Sequence, residues 1–197
     1  MERESQRHRL ERCLKDVEEK PDVASAWYNL GLAYTVSARV KKAEESYLKA
    51  IELDPSMVQA WVNLGGVRLM RWEFQGCLEA NQEAVKLRND LPIVHYNMGQ
   101  AYLYLNDPKN LIRSNERVLE LDRDHAAAHY YAAVGHLALN NLGAAERYLG
   151  RAIELGHQPT QDFVKAMEKA HMKKQRQEQV SLIEISGAQN PDKKKED

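Results

Sequence analysis

AWYNLGLAY, Ala26–Tyr34, returns 34 residues on as AWVNLGGVR, Ala60–Arg68, then as VHYNMGQAY, Val94–Tyr102, and again as AHYYAAVGH, Ala128–His136. The register never slips. Leu53, Leu87, Leu121 and Leu155 stand 34 apart, as do Gly31, Gly65, Gly99 and Ala133. Trp27 and Trp61 share a column with His95 and His129, and Ala43 and Ala145 share one with Cys77 and Leu111. A gap-free period of this length marks a repeat architecture. One helical unit cannot bury its apolar face alone, so neighbours stack into a solenoid.

Each copy holds two helical segments, for example Ala24–Val36 and Val40–Leu53. Small residues such as Gly31 and Ala43 let paired helices approach closely, while Trp27 and Tyr34 fill the space beside them. Charge separates the layers. Across the four first segments (24–36, 58–70, 92–104, 126–138) the one Asp, Glu, Lys or Arg is Arg68, whereas the second segments are rich in them, as in VKKAEESYLKAIEL. The first segments therefore form the sheltered inner layer and the second the solvated outer one. The organisation that follows is an N-terminal outer-type helix over residues 1–23, copies at 24–57, 58–91, 92–125 and 126–157, a capping helix over 158–180 and a disordered tail over 181–197. Across the boundary into that tail, QVSLIEIS (Gln179–Ser186) is an apolar alternating stretch. It reads either as the helix's last turn with a small patch or as a strand-like segment that docks in a groove.

Copy one carries the full W-x2-LG-x2-Y, Ala, aromatic, Ala, Pro pattern as Trp27, Leu30, Gly31, Tyr34, Ala43, Tyr47, Ala50 and Pro55. On these residues the chain resembles tetratricopeptide repeat proteins, from Ala24 to about His157. The resemblance implies an all-α, right-handed solenoid of helix-turn-helix repeats that binds protein and carries no catalysis. Copies two to four depart from the pattern in places: Arg68 stands in the Tyr34 column, and Asn81 and Asn115 stand where copy one has Tyr47. These three polar groups, set between layers, call for a hydrogen-bonded network, with Glu79 or Glu83 as candidate partners.

At about 100° per residue, Trp27, Gly31 and Tyr34 share the side that meets the outer helix. Ser25, Tyr28, Asn29, Leu32 and Val36 face the hollow of the superhelix. Their counterparts bring Gln59 and Asn63, then Tyr96, Asn97, Gln100 and Tyr104, then Tyr130 and Tyr131. No formal charge falls on this face. An amide offers both donors and an acceptor, which matches the backbone of an extended peptide. The resemblance points the same way, because a similar asparagine ladder in the repeat superhelix of O-GlcNAc transferase holds extended peptide backbone. Asn29, Asn63 and Asn97 occupy that ladder column, and Tyr131 breaks it. The expected partner is a protein or peptide segment. Backbone would lie on the three asparagines, and side chains would meet Tyr28, Gln59, Tyr96, Gln100, Tyr104, Tyr130 and Tyr131. A scaffold that self-assembles, its groove incidental or filled by its own tail, is the second reading.

The remaining features narrow the class. Family members that grip acidic heat-shock chaperone C-termini use Lys and Arg to clamp a carboxylate. Here those places hold Tyr28, Leu32, Ile93 and Asn97, and only Asn63 fits, so a chaperone partner is not expected. Basic and acidic residues number 28 and 29, a balance that offers nucleic acid no global attraction. No apolar run approaches a membrane span, the N-terminus lacks a signal-peptide core, and Cys13 and Cys77 stand alone. A cytoplasmic protein is expected. His95, His125, His129 and His136 invite a metal reading, but no carboxylate or thiol completes a set. No cofactor and no enzymatic activity are expected: the inner face has no Ser–His or Cys–His arrangement in register and no phosphate loop.

Overall fold

The structure, a computed structural model, describes residues 2–188, with side chains for 6–179. Among the described residues there are ten helices and no strand: α1 (Glu2–Glu19), α2 (Ala24–Val36), α3 (Val40–Leu53), α4 (Val58–Met70), α5 (Phe74–Leu87), α6 (Pro92–Tyr104), α7 (Pro108–Leu121), α8 (Ala126–Ala138), α9 (Leu142–Glu154) and α10 (Gln161–Ala188). The pairs α2–α3, α4–α5, α6–α7 and α8–α9 are the four copies. Within the inner layer α4 lies against α6 and α6 against α8. Between the outer helices α5 and α7 a cleft of about 680 Å³ opens, floored by His95, Met98 and Tyr102 of α6. The tighter layer is thus the inner one.

Local chemistry sets the boundaries. Pro92 and Pro108 open α6 and α7 where a missing N–H costs nothing. Asp107, His125 and Asn141 cap α7, α8 and α9 by accepting the N–H of Asn110, Ala128 and Ala144. Each inner helix ends in a left-handed residue, Ala38, Trp72, Asn106 or Asn140. The N–H that follows bonds back five residues, as Arg39 N to Tyr34 O and Glu73 N to Arg68 O, which satisfies the orphaned carbonyls.

The Trp27 column has a polar duty as well as a packing one. Trp27 Nε1 donates to Pro21 O at 2.7 Å and Trp61 Nε1 to Pro55 O at 2.9 Å. His95 and His129 then place Nε2 3.0 Å from Asn89 O and Arg123 O. A carbonyl only accepts, so each imidazole carries its proton on Nε2 and pins the preceding loop as the indoles do. His125 caps a helix, and His136 stacks on Tyr148 at 5.2 Å. The histidines are therefore committed to structure.

Between layers, Tyr47 is wholly buried against Gly31, with its hydroxyl 3.0 Å from Thr35 Oγ1. Asn81 and Asn115 take the same position against Gly65 and Gly99. The three polar groups find separate partners, none of them Glu79 or Glu83. Asn81 Nδ2 donates to Cys77 O and Asn115 Nδ2 to Leu111 O, both at 2.8 Å, and Asn115 Oδ1 is buried with no partner among the described residues. Arg68 reaches back to copy one and donates to Glu44 at 3.0 Å and to Gly76 O at 3.2 Å, while Arg71 also pairs with Glu44. Glu79 is exposed and Glu83 is held by Lys86, so neither is offered to the interface.

α10 begins as a fifth inner helix: Phe163 and Met167, in the Trp27 and Gly31 columns, are buried against Tyr130 and its neighbours. Its backbone stays helical to Ala188, past Val180 where the sequence reading ended it, and 181–186 is not extended. No proline interrupts 161–188 and a glycine comes only at 187, so nothing in the chain breaks the helix earlier. The rest of the expected disordered tail, 189–197, lies outside the described residues.

Candidate functional site: the inner face of the solenoid

The inner-face residues do not share one environment. Tyr28 projects toward the next copy, where its hydroxyl accepts from Asn63 Nδ2 at 3.2 Å. Tyr96 meets Tyr131 in the same way, ring centroids 6.1 Å apart. In both places the Tyr28 column of one copy touches the Asn29 column of the next. That contact sets the asparagines apart. Asn29 has no such predecessor and is exposed; Asn63 meets Tyr28 and is half-buried. Asn97 follows Val62, which offers no polar atom, so its amide turns inward, is buried, and donates to Asn81 Oδ1 at 3.4 Å.

The tyrosines divide similarly. Tyr130 is buried beneath the cap: its hydroxyl lies 3.2 Å from Thr160 Oγ1, and its ring packs on His157 and Phe163. Tyr104 stands exposed at the lip of the face, stacked on Phe74 at 4.7 Å. Gln59 is exposed, and Tyr28, Tyr96, Gln100 and Tyr131 are half-buried. Two groups result. Tyr28, Asn29, Gln59 and Asn63 occupy the N-terminal half of the face, and Tyr96, Gln100 and Tyr131 the C-terminal half. Gln100 Nε2 is buried beside the Tyr131 phenol, and no well-formed hydrogen bond reaches it among the described residues. Burial, and then the neighbouring Tyr131, push the Tyr96 phenol up to about 12, so it stays a neutral donor.

Reading from sequence missed the turn residues. Trp72 and Phe74 lie outside the inner helix yet meet Tyr104, at 5.1 Å and 4.7 Å between centroids. The signal was present: the turn column runs Ala38, Trp72, Asn106, Asn140, and a tryptophan is out of character there. Among the described residues no helix is long and apolar enough to cross a membrane, and no three His, Cys, Asp or Glu side chains gather as a metal site.

Residues 24–57 and 93–125 match models of the tetratricopeptide repeat. The chain therefore carries tetratricopeptide repeats, units that serve in protein–protein interaction scaffolds. No curated protein matches it. Among solved structures it is similar to MamA, at 21% identity over 74% of this chain and 85% of that one, TM-score 0.72. It is also similar to YrrB, described as a TPR protein with an unusual peptide-binding site, at 20% identity over 73% and 74%, TM-score 0.67. The pilF protein of Pseudomonas aeruginosa aligns at 19% identity over 95% and 92%, TM-score 0.72. These likenesses establish the helical-repeat fold.

Proposed function

We propose that the chain is a non-catalytic scaffold that holds an extended protein segment on its inner face. One observation carries the reading: a face without formal charge keeps exposed amides, Asn29 and Gln59, beside tyrosines held half-buried by the next repeat. Amides bind peptide N–H and C=O without asking for a charged ligand, and tyrosine adds flat area at low entropic cost. In this reading Asn29, Gln59 and Asn63 take backbone, and Tyr28, Tyr96, Gln100, Tyr104 and Tyr131 meet side chains. Asn97 and Tyr130 support the face from behind.

That division shapes the experiment. Asn97→Ala would disturb packing against Asn81, so the informative variant is Asn29→Ala with Gln59→Ala, both on exposed positions. Affinity capture from native lysate, with circular dichroism to confirm folding, should lose a defined set of partners with the double variant. Their purified segments should bind the wild type with Kd on the order of 1–100 μM. Identical partner lists for both proteins would mean the amide face is architectural.

A further inference from the structure

Trp72 is the residue the inner-face reading leaves over. It closes α4 with φ of 63°, in the left-handed region where a bulky side chain is a true outlier. Two other copies use asparagine there, Asn106 and Asn140, a residue that tolerates this conformation. The indole is not hidden by way of compensation: Trp72 is 67% exposed, and Met70 and Tyr104 beside it are 54% and 52% exposed. It stands edge-on to Tyr104 at 5.1 Å and to Phe74 at 5.9 Å, so three aromatic rings from two copies hold one another in place. A strained backbone that displays a large ring to water points to a contact made outside the chain.

The same edge changes character one copy toward the N-terminus. A shallow depression of about 530 Å³ is lined by Ala38, Arg39, Val40, Lys41, Lys42 and Arg71. Arg71 is neutralised by Glu44 and Glu73. Arg39 and Lys41 have no carboxylate partner within 4.0 Å among the described residues, and Lys42 lies 5.7 Å from the Tyr34 ring centre. Unspent cations next to an exposed aromatic cluster define their complement.

We infer that this edge, built from the α2–α3 and α4–α5 turns and the end of α6, docks an acidic protein segment that carries an aromatic or long aliphatic anchor. Its carboxylates lie over Arg39, Lys41 and Lys42, and its anchor packs on Trp72, Met70 and Tyr104. Aromatic and arginine groups side by side are the usual anchors of such contacts. Nucleic acid fits less well, because it carries a phosphate beside every base and would bring negative charge to the aromatic cluster, where Glu73 stands between Trp72 and Phe74 and Asp107 follows Tyr104. A peptide can confine its carboxylates to the cationic side. The chain's own residues 189–197, QNPDKKKED, hold no aromatic or branched aliphatic side chain and as many lysines as carboxylates. They cannot supply the anchor.

The test uses the full chain and synthetic probes. A short fluorescein-labelled peptide with an acidic run followed by Trp-Leu is titrated by anisotropy. Beside it go a version with lysines for the acids, a version with serines for Trp-Leu, and an oligo-dT strand. The chain is compared with Trp72→Asn, with Arg39→Glu plus Lys41→Glu, and with Asn29→Ala. The acidic, anchored peptide should bind best and weaken with salt. Trp72→Asn and the double charge reversal should each lower affinity about tenfold or more, and Asn29→Ala should leave it unchanged. Binding by the tryptophan-free serine version would be weak, and the wild type should show a blue shift of protein emission with a Phe-Leu version of the peptide, a readout that needs no variant. Equal binding of the charge-reversed peptide, undiminished binding by Trp72→Asn, or tighter binding of oligo-dT would overturn the inference. So would a wild-type dimer in sedimentation that Trp72→Asn abolishes, since the occupant would then be a second copy.

Discussion

A methyl group added at Gly31 measures how tightly the two layers are pressed together. A Cβ there would stand 2.5, 2.7 and 3.0 Å from three ring atoms of Tyr47, where ordinary carbon contacts begin near 3.5 Å. The ring must retreat by about 1 Å to restore such contacts. It has nowhere to go, since Tyr47 is wholly buried, and its hydroxyl is tied to Thr35. Overpacking of this kind costs about 1–3 kcal/mol, and a strained or lost hydrogen bond adds about 1 kcal/mol. Against this, alanine is the better helix former by about 1 kcal/mol. Gly31→Ala should therefore destabilise by about 2 kcal/mol. Gly150 supplies the control, because it lies inside α9 with nothing within 4 Å of its would-be Cβ. Gly150→Ala should gain about 0.5–1 kcal/mol from helix propensity alone. Guanidinium unfolding followed by far-UV circular dichroism should move the two midpoints in opposite directions. A Gly31→Ala midpoint at or above wild type would refute the reasoning, because the interface would then have room for a methyl.

Two further outcomes follow from the polar groups inside the array. Glu44→Gln removes the carboxylate shared by Arg68 and Arg71, whose side chains are only 21% and 27% exposed. Glu73 and solvent still serve Arg71, so the loss should be about 1–2 kcal/mol, less than the full cost of breaking a buried pair; an unchanged urea midpoint would mean water replaces the carboxylate without penalty. Burial pushes the Cys77 thiol from 9.0 up to about 11. The folded chain therefore keeps a proton that the unfolded chain releases. Its contribution is intact below pH 9 and fades toward pH 11, by up to roughly 2–3 kcal/mol. Unfolding midpoints measured across that range should fall less steeply for Cys77→Ala than for wild type, and parallel curves would remove Cys77 as the cause.

The repeat was legible because it is written locally. Helix periodicity, capping and the Gly31 column act over a few residues, so each copy declares its two helices wherever it stands in the chain. The tetratricopeptide pattern of copy one and the first segments, charged only at Arg68, pointed to the inner layer in the same way. Column reading treated His95 as a packing substitute for Trp27. It did not show that both ring N–H groups hold a carbonyl six residues back, because that bond needs the loop's path.

Asn29, Asn63 and Asn97 mark the boundary most clearly. Periodicity put them in one column and made them equals. Stacking then gave Asn29 no Tyr28-column residue before it, gave Asn63 the Tyr28 hydroxyl, and gave Asn97 the Asn81 amide. Trp72 belongs to the same lesson: its turn position is visible in the sequence, but its meeting with Tyr104 of the next copy is not. The sequence by itself determined the unit, its number of copies and which helix faces inward, since these depend on residues within one turn of each other. Only the tertiary structure decided which inward side chains remain open to a ligand, since that depends on what the neighbouring copy places against each of them.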